Sequence, residues 1–456
     1  MQANYYYKCN ICGTICNLKY QLGFSKKHPI RYKCTCGITI KGEYQDKIGI
    51  SFENATIVEE HVPQIVVHSS GEFLTRPPYT ASSIKDTFVP TSFIFAIQNM
   101  DYENFRKEFS EIINYRDNRV STVSAINELY QAHNEKVLAQ IIRKNYDPNI
   151  KLFPLNNEAD YLRAVTMINQ FQFLNHGNQT RETTDLFMSV YKNHTSECIN
   201  YFRFLSELNQ IPEWKRRIYH ICDQIYIKID LLIPAVGIDY YHDKEAILTG
   251  ALSITTTSFE EVKQLYVDLY ELICSLLILP FGFDNILQRN SFDSIQSVEG
   301  LNIKSLKDVS KMRNKGNIIK LLDMTAPFGS LLCDCLNPDV RNSIGHFSYN
   351  SEEIASSYGQ IIRFIEVNNS SKYIDFSLVQ ICYDIWKMYN CLGIFNELIH
   401  HIELQILAEK GIYPSFVTDS SVRSNMHSFE RKKIYPNELC PCGSSLKYKK
   451  CCGKKL

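Results

Sequence analysis

The sequence has little of what marks exported, membrane-spanning or repetitive chains. Met1 to Tyr7 has no charged segment followed by an apolar run, so no secretory signal is read there. The most apolar stretch, Leu265 to Phe283, carries Asp268 and Glu271 and is broken by Pro280, which predicts a buried helix instead of a membrane span. No repeat of fixed period and no low-complexity tract occurs, which excludes a solenoid. Net charge is also missing, because 49 Lys and Arg balance 49 Asp and Glu. Any attraction to an anionic partner must therefore come from local patches.

The charge that is present is unevenly spread. Met1 to Lys47 carries eight Lys/Arg against Glu43 and Asp46, a net +6, and Arg431 to Leu456 carries eight against Glu438, a net +7. The middle is left at −13. Two readings stand: the basic ends touch something anionic, or they offset metal-bound thiolates. With 456 residues, 45% hydrophobic and 21% charged, the chain is expected to be a soluble protein of two to four domains. Sixteen Cys without an export signal point to metal sites in a reducing compartment, so a cytoplasmic location with no membrane partner is expected.

Two cysteine clusters have metal-ligand spacing. Cys9-x2-Cys12-Gly13 and Cys34-x-Cys36-Gly37 each read as a knuckle, a tight turn whose glycine lets backbone N–H groups approach sulfur. Together they offer four thiolates for a structural zinc, with Cys16 as a spare ligand. At the other end, Cys440-x-Cys442 and Cys451-Cys452 form a second four-thiolate set within 13 positions. Cys333-x-Cys335 has no second pair nearby and reads as core, and the adjacent His400 and His401 point in different directions on a helix.

Between the clusters the texture changes. Residues 1–50 read as a zinc-ribbon-like module and 51–95 as short strands (IGISF, TIVEE, IVVH) and a connector. Residues 96–256 form a helical domain of unassigned role, in which Ile218 to Ile233 could partly be strand. Residues 257–410 form a second helical domain, with a helix over Ser305 to Met324, a strand pair at Ile361 to Val367 and Tyr373 to Asp375, and one long helix over Ser377 to Lys410. A polar linker (411–435) and the second cysteine cluster (436–456) complete the chain.

Within the second helical domain, LNPDVRNSIGHFSYN stands out. Asn337 is a good N-cap and Pro338 suits the first helical position, so a short helix is predicted from Pro338 to about His346. Arg341 and His346 would lie on its first two turns, near the end that favours anions. No other Arg-x4–6-His occurs in the chain. Five helical positions place the two about 140° apart, so one helix cannot easily aim both at one atom.

The tail CPCGSSLKYKKCC resembles the SEC-C motif, with Ser445 in place of the usual glycine and Cys452 in the alternate ligand place. That resemblance implies zinc bound by Cys440, Cys442, Cys451 and Cys452, and docking onto protein or ribosome-associated partners. The block 257–410 resembles HEPN domains, with Arg341, Asn342 and His346 matching the family's R-(polar)-x3-His core. The predicted fold class is therefore mainly α: a HEPN-like helical bundle with small β-containing zinc modules at both ends. The resemblance implies a homodimeric, metal-independent endoribonuclease acting on tRNA, rRNA or mRNA in bacterial anti-phage defence or as a toxin. His346 would be its general acid/base, Arg341 its phosphate clamp and Asn342 an orienting group. The alternative expectation is a non-catalytic zinc-binding adaptor.

Overall fold

A computed structural model describes residues 2–21, 23, 27–80, 91–147, 153–350, 360–415, 447 and 450. The described residues carry eleven strands in three sheets among many helices. The N-terminal region corrects the expected fold class: it is a sheet-rich domain, not a small zinc module attached to a helical bundle. Its strands are β1 (Gln2–Cys9), β2 (Ile15–Gln21), β3 (Lys27–Lys33), β4 (Thr39–Gln45), β5 (Gly49–Glu53), β6 (Ala55–Val58), β7 (Ile65–Ser70) and β8 (Tyr79–Thr80). They form a five-stranded sheet, ordered β6-β1-β2-β7-β8, and a three-stranded sheet, β3-β4-β5.

The physical reason lies in non-local pairing. β6 pairs with β1 and β7 runs parallel to β2 (Cys16 opposite Ile65, Leu18 opposite Val67), so the expected connector completes the expected ribbon's own sheet. Alternating apolar residues then fill the space between the sheets. Tyr7, Leu18, Tyr20, Ile30, Ile40 and Val67 are all buried, and the rings of Tyr7 and Phe52 lie 4.7 Å apart. These buried residues give the sheets an apolar core of their own.

The chain divides into two compact units. One comprises Met1–Val120, His220–Ile273 and Cys333–Cys391, and the other Ser121–Tyr219, Cys274–Leu332 and Leu392–Leu456. In the first unit the β domain is tied to the segment around Thr255. Arg31 donates its backbone N–H to Thr255 O at 2.8 Å, and its guanidinium binds Glu261 at 2.9 Å. Thr75 and Ser253 exchange backbone hydrogen bonds of 2.8 and 2.7 Å. A third sheet, Tyr349–Asn350 with Ile361–Glu366 and Asn369–Ser377, stands beside the Pro338–Gly345 helix.

The described residues of the second unit are mainly helical. Inside it Glu397 accepts hydrogen bonds from the Thr184 hydroxyl and the Gln170 amide, both at 2.8 Å, and faces His401 at 3.0 Å. His401 also stacks on Phe187 at 4.7 Å, and His400 is buried. These histidines are parts of a packed helical interior.

Several elements fall where the sequence placed them. The strand pair is present with Arg363 opposite Asp375, and the long helix runs Leu378–Glu409 before Gly411 at φ +82°. Two expectations are corrected. Ile218 to Ile233 is helical, within Ile211–Ile227 and Ile229–Val236. The predicted helix over Ser305 to Met324 is two short ones, Leu306–Ser310 and Lys315–Ile319, because Asn314 caps a new start by accepting from Asn317 N–H. The helical run Phe259–Arg289 is long and apolar enough to cross a membrane, but 78% of its most apolar part is buried inside the protein.

Candidate functional site

Two constellations have chemistry within the described residues. The first is at the tips of two hairpins. The β1–β2 turn brings Cys9 and Cys12 together, with Gly13 at φ +77° donating to Cys9 O. The β3–β4 turn does the same for Cys34 and Cys36, with Gly37 at φ +89° donating to Cys34 O. Both glycines hold a left-handed conformation that a side chain would strain. All four Sγ atoms lie within 4.8 Å of one another, with Cys12–Cys34 at 3.6 Å and Cys9–Cys36 at 3.9 Å.

That arrangement fits a metal. Four Zn–S bonds of about 2.3 Å in a tetrahedron require S···S edges of about 3.8 Å. Hydrogen bonding from Thr14 lowers the Cys12 thiol to about 6, whereas burial pushes Cys34 up to about 12. A bound dication would supply the field that ionises Cys34. Cys16 is not among the four. It lies buried between Tyr7 and Tyr32, and burial pushes its thiol up to about 12. A metal held by all four would have no position open to a substrate, the arrangement typical of structural sites.

The second constellation is on the Pro338–Gly345 helix. Asn337 caps it, its side chain accepting from Asp339 N–H at 2.9 Å and Val340 N–H at 3.1 Å, and Pro338 opens it. Val340 and Ile344 bury one face, leaving Arg341 half-buried and Asn342 and His346 exposed. The helix has eight residues, so His346 is its C-cap. This corrects the expectation that His346 sits near the anion-favouring end, since a helix presents carbonyls, not N–H groups, where His346 stands.

Arg341 does not stand alone. Its Nε and Nη2 both donate to Glu271 Oε1 at 2.6 Å. Its Nη1 turns the other way, 3.2 Å from Asn342 Oδ1, and lies 3.6 Å from where a Cβ on Gly345 would be. The guanidinium is thus laid along the helix surface toward the turn that holds His346. Sequence reasoning missed Glu271. Its signal was there, as one of only two acids in the most apolar stretch, where a carboxylate needs a partner.

Cys440, Cys442, Cys451 and Cys452 lie outside the described residues. Residues 437–454, which include all four, match the SEC-C motif. No curated protein and no solved structure matches the chain. The comparisons therefore place a SEC-C motif at residues 437–454, and the Cys9–Cys12–Cys34–Cys36 cluster stands beside it as a second cysteine-rich metal-binding candidate.

Proposed function

We propose that the protein is an endoribonuclease that cleaves RNA by 2′-OH attack, using Arg341, Asn342 and His346. The observation that carries this reading is the Arg341 guanidinium, held by Glu271 on two nitrogens while Nη1 extends toward the exposed turn of Asn342 and His346. A guanidinium fixed on one side can stabilise developing charge on the equatorial phosphate oxygens. An exposed imidazole can accept and release a proton. In the step proposed, the 2′-oxygen bonds to phosphorus and gives up its proton while the P–O5′ bond breaks. The departing 5′-oxygen receives a proton, leaving a 2′,3′-cyclic phosphate and a 5′-hydroxyl. His346 serves proton transfer, Arg341 clamps the phosphate and Asn342 orients Arg341. Pairing of two chains would bring two such Arg341–His346 turns into one cleft around the RNA, and a role in anti-phage defence follows the resemblance to HEPN nucleases.

The test is cleavage of tRNA and total RNA without added divalent metal, wild type beside His346→Ala. Cyclic-phosphate ends formed by the wild type only are expected. Equal activity in both would remove the site from the reaction. A second reading has its own observation, the SEC-C match at residues 437–454. It is an adaptor that docks on protein or ribosome-associated partners through that tail. On this reading His346→Ala keeps all partner binding.

A further inference from the structure

The residue after His346 has an unusual backbone. Phe347 has φ +56°, the left-handed region that a bulky side chain occupies at a cost. Three of the other described non-glycine residues with positive φ are Asn54, Asn209 and Asn290, a residue type suited to it. Leu155 compensates by burial, being only 6% exposed. Lys47 and His133 also hold a positive φ on exposed turns, and among these described residues Phe347 is the apolar one left exposed, at 79%.

The surrounding hydrogen bonds show how the conformation is kept. Phe347 N–H donates to Ile344 O and Ser348 N–H to Ser343 O, the pattern of a Schellman C-cap, where glycine is the usual residue at this position. The turn is pinned further. Ile365 N–H donates to Ser348 O, and the Ser343 hydroxyl donates to Ile365 O, both at 2.8 Å. Neighbours over-determine the backbone, and an aromatic ring is thereby held out in solvent. Strain maintained in this way is characteristic of functional positions.

We propose that Phe347 is a stacking platform for an unpaired nucleobase of RNA at this site, an inference that rests on the reading of Arg341 and His346 as an RNA-cleaving pair. The chemistry that favours this occupant is adjacency. The ring is one residue from the imidazole, on the turn toward which the Arg341 guanidinium extends, so a phosphate and its neighbouring base can be engaged together. A π-face serves any unpaired base, and a base within a duplex cannot reach it.

The experiment uses the full chain carrying His346→Ala, so that RNA stays intact, with a fluorescein-labelled single-stranded oligoribonucleotide and the matching duplex read by anisotropy. Phe347→Gly is expected to weaken single-strand binding by about tenfold, to leave duplex binding unchanged and to raise the melting temperature by relieving the strain. Phe347→Trp is expected to bind as Phe does. Unchanged single-strand affinity in Phe347→Gly, or equal losses for strand and duplex, would overturn the proposal. Cleavage by the wild type is measured separately. Cleavage with a Phe347-independent affinity brings down the platform alone, whereas Phe347-dependent binding without cleavage brings down the nuclease reading alone.

Discussion

At the scale of single residues, the Arg341–Glu271 pair organises the candidate site. One carboxylate oxygen takes two guanidinium nitrogens at 2.6 Å. Removing the charge but keeping the shape, Glu271→Gln, is expected to lower cleavage roughly tenfold, chiefly in kcat, through loss of a fixed orientation. RNA cleavage kinetics check it, and an unchanged kcat would mean that Arg341 needs no such holder. Arg341→Lys is expected to lose at least as much, since an ammonium cannot meet Glu271 on one side and a phosphate on the other. Arg341, Asn342 and His346 could be singled out in the sequence as candidates because their spacing is local. Glu271 was not, because its partner is 70 positions away and nothing in local periodicity joins them. Phe347 was hidden for a different reason: only backbone torsion reveals that it stands where glycine belongs.

Among the elements, two helices carry consequences that can be measured. The Pro338–Gly345 helix is short enough that its cap matters: Asn337→Ala is expected to cost about 1 kcal/mol and to reduce activity in step, read by denaturant unfolding and cleavage together. On Leu378–Glu409, burial pushes the Asp384 carboxyl up to about 8, although Gln380 donates to it at 2.6 Å. The native state then holds a proton that the unfolded chain, with a reference value near 3.9, releases. Stability from this group is fully present below about pH 4 and is lost as pH rises toward 8. Asp384→Asn, which keeps an acceptor for Gln380, is expected to raise the melting temperature at pH 8 by roughly 3 °C or more and to change little at pH 4. Thermal melts at the two pH values check this. Caps, prolines and glycines made such helices readable in advance. The interruption at Asn314 was missed because its neighbours share one helical periodicity on both sides of the break.

For the whole molecule, the metal clusters allow a count. Zinc analysis is expected to give about two ions per chain, falling by one in Cys12→Ser and by one in Cys440→Ser. Because the β domain has its own core, strong chelation is expected to lower its melting temperature without abolishing the fold. Loss of all β-sheet signal on chelation would mean that metal, not the Tyr7–Leu18–Val67 core, holds the sheets. The knuckles were legible from their spacing alone. The sheet-rich domain around them was not, since β2 meets β7 across some fifty residues and no local pattern announces a parallel partner.

The ties between the β domain and the Thr255 segment also set a timetable for synthesis. The bond from Thr75 to Ser253 closes a separation of 178 residues, and that from Arg31 to Glu261 one of 230. At about 5–20 residues per second, a growing chain waits roughly 10–45 s between making the two ends of these contacts. During that interval the cysteine knuckles, complete by Gly37, can already close, while Arg31, Ser70 and Thr75 still lack the Glu261, Thr255 and Ser253 that will meet them. A nascent chain is thus given an early local fastener, the four thiolates of the knuckles, and a late distant one.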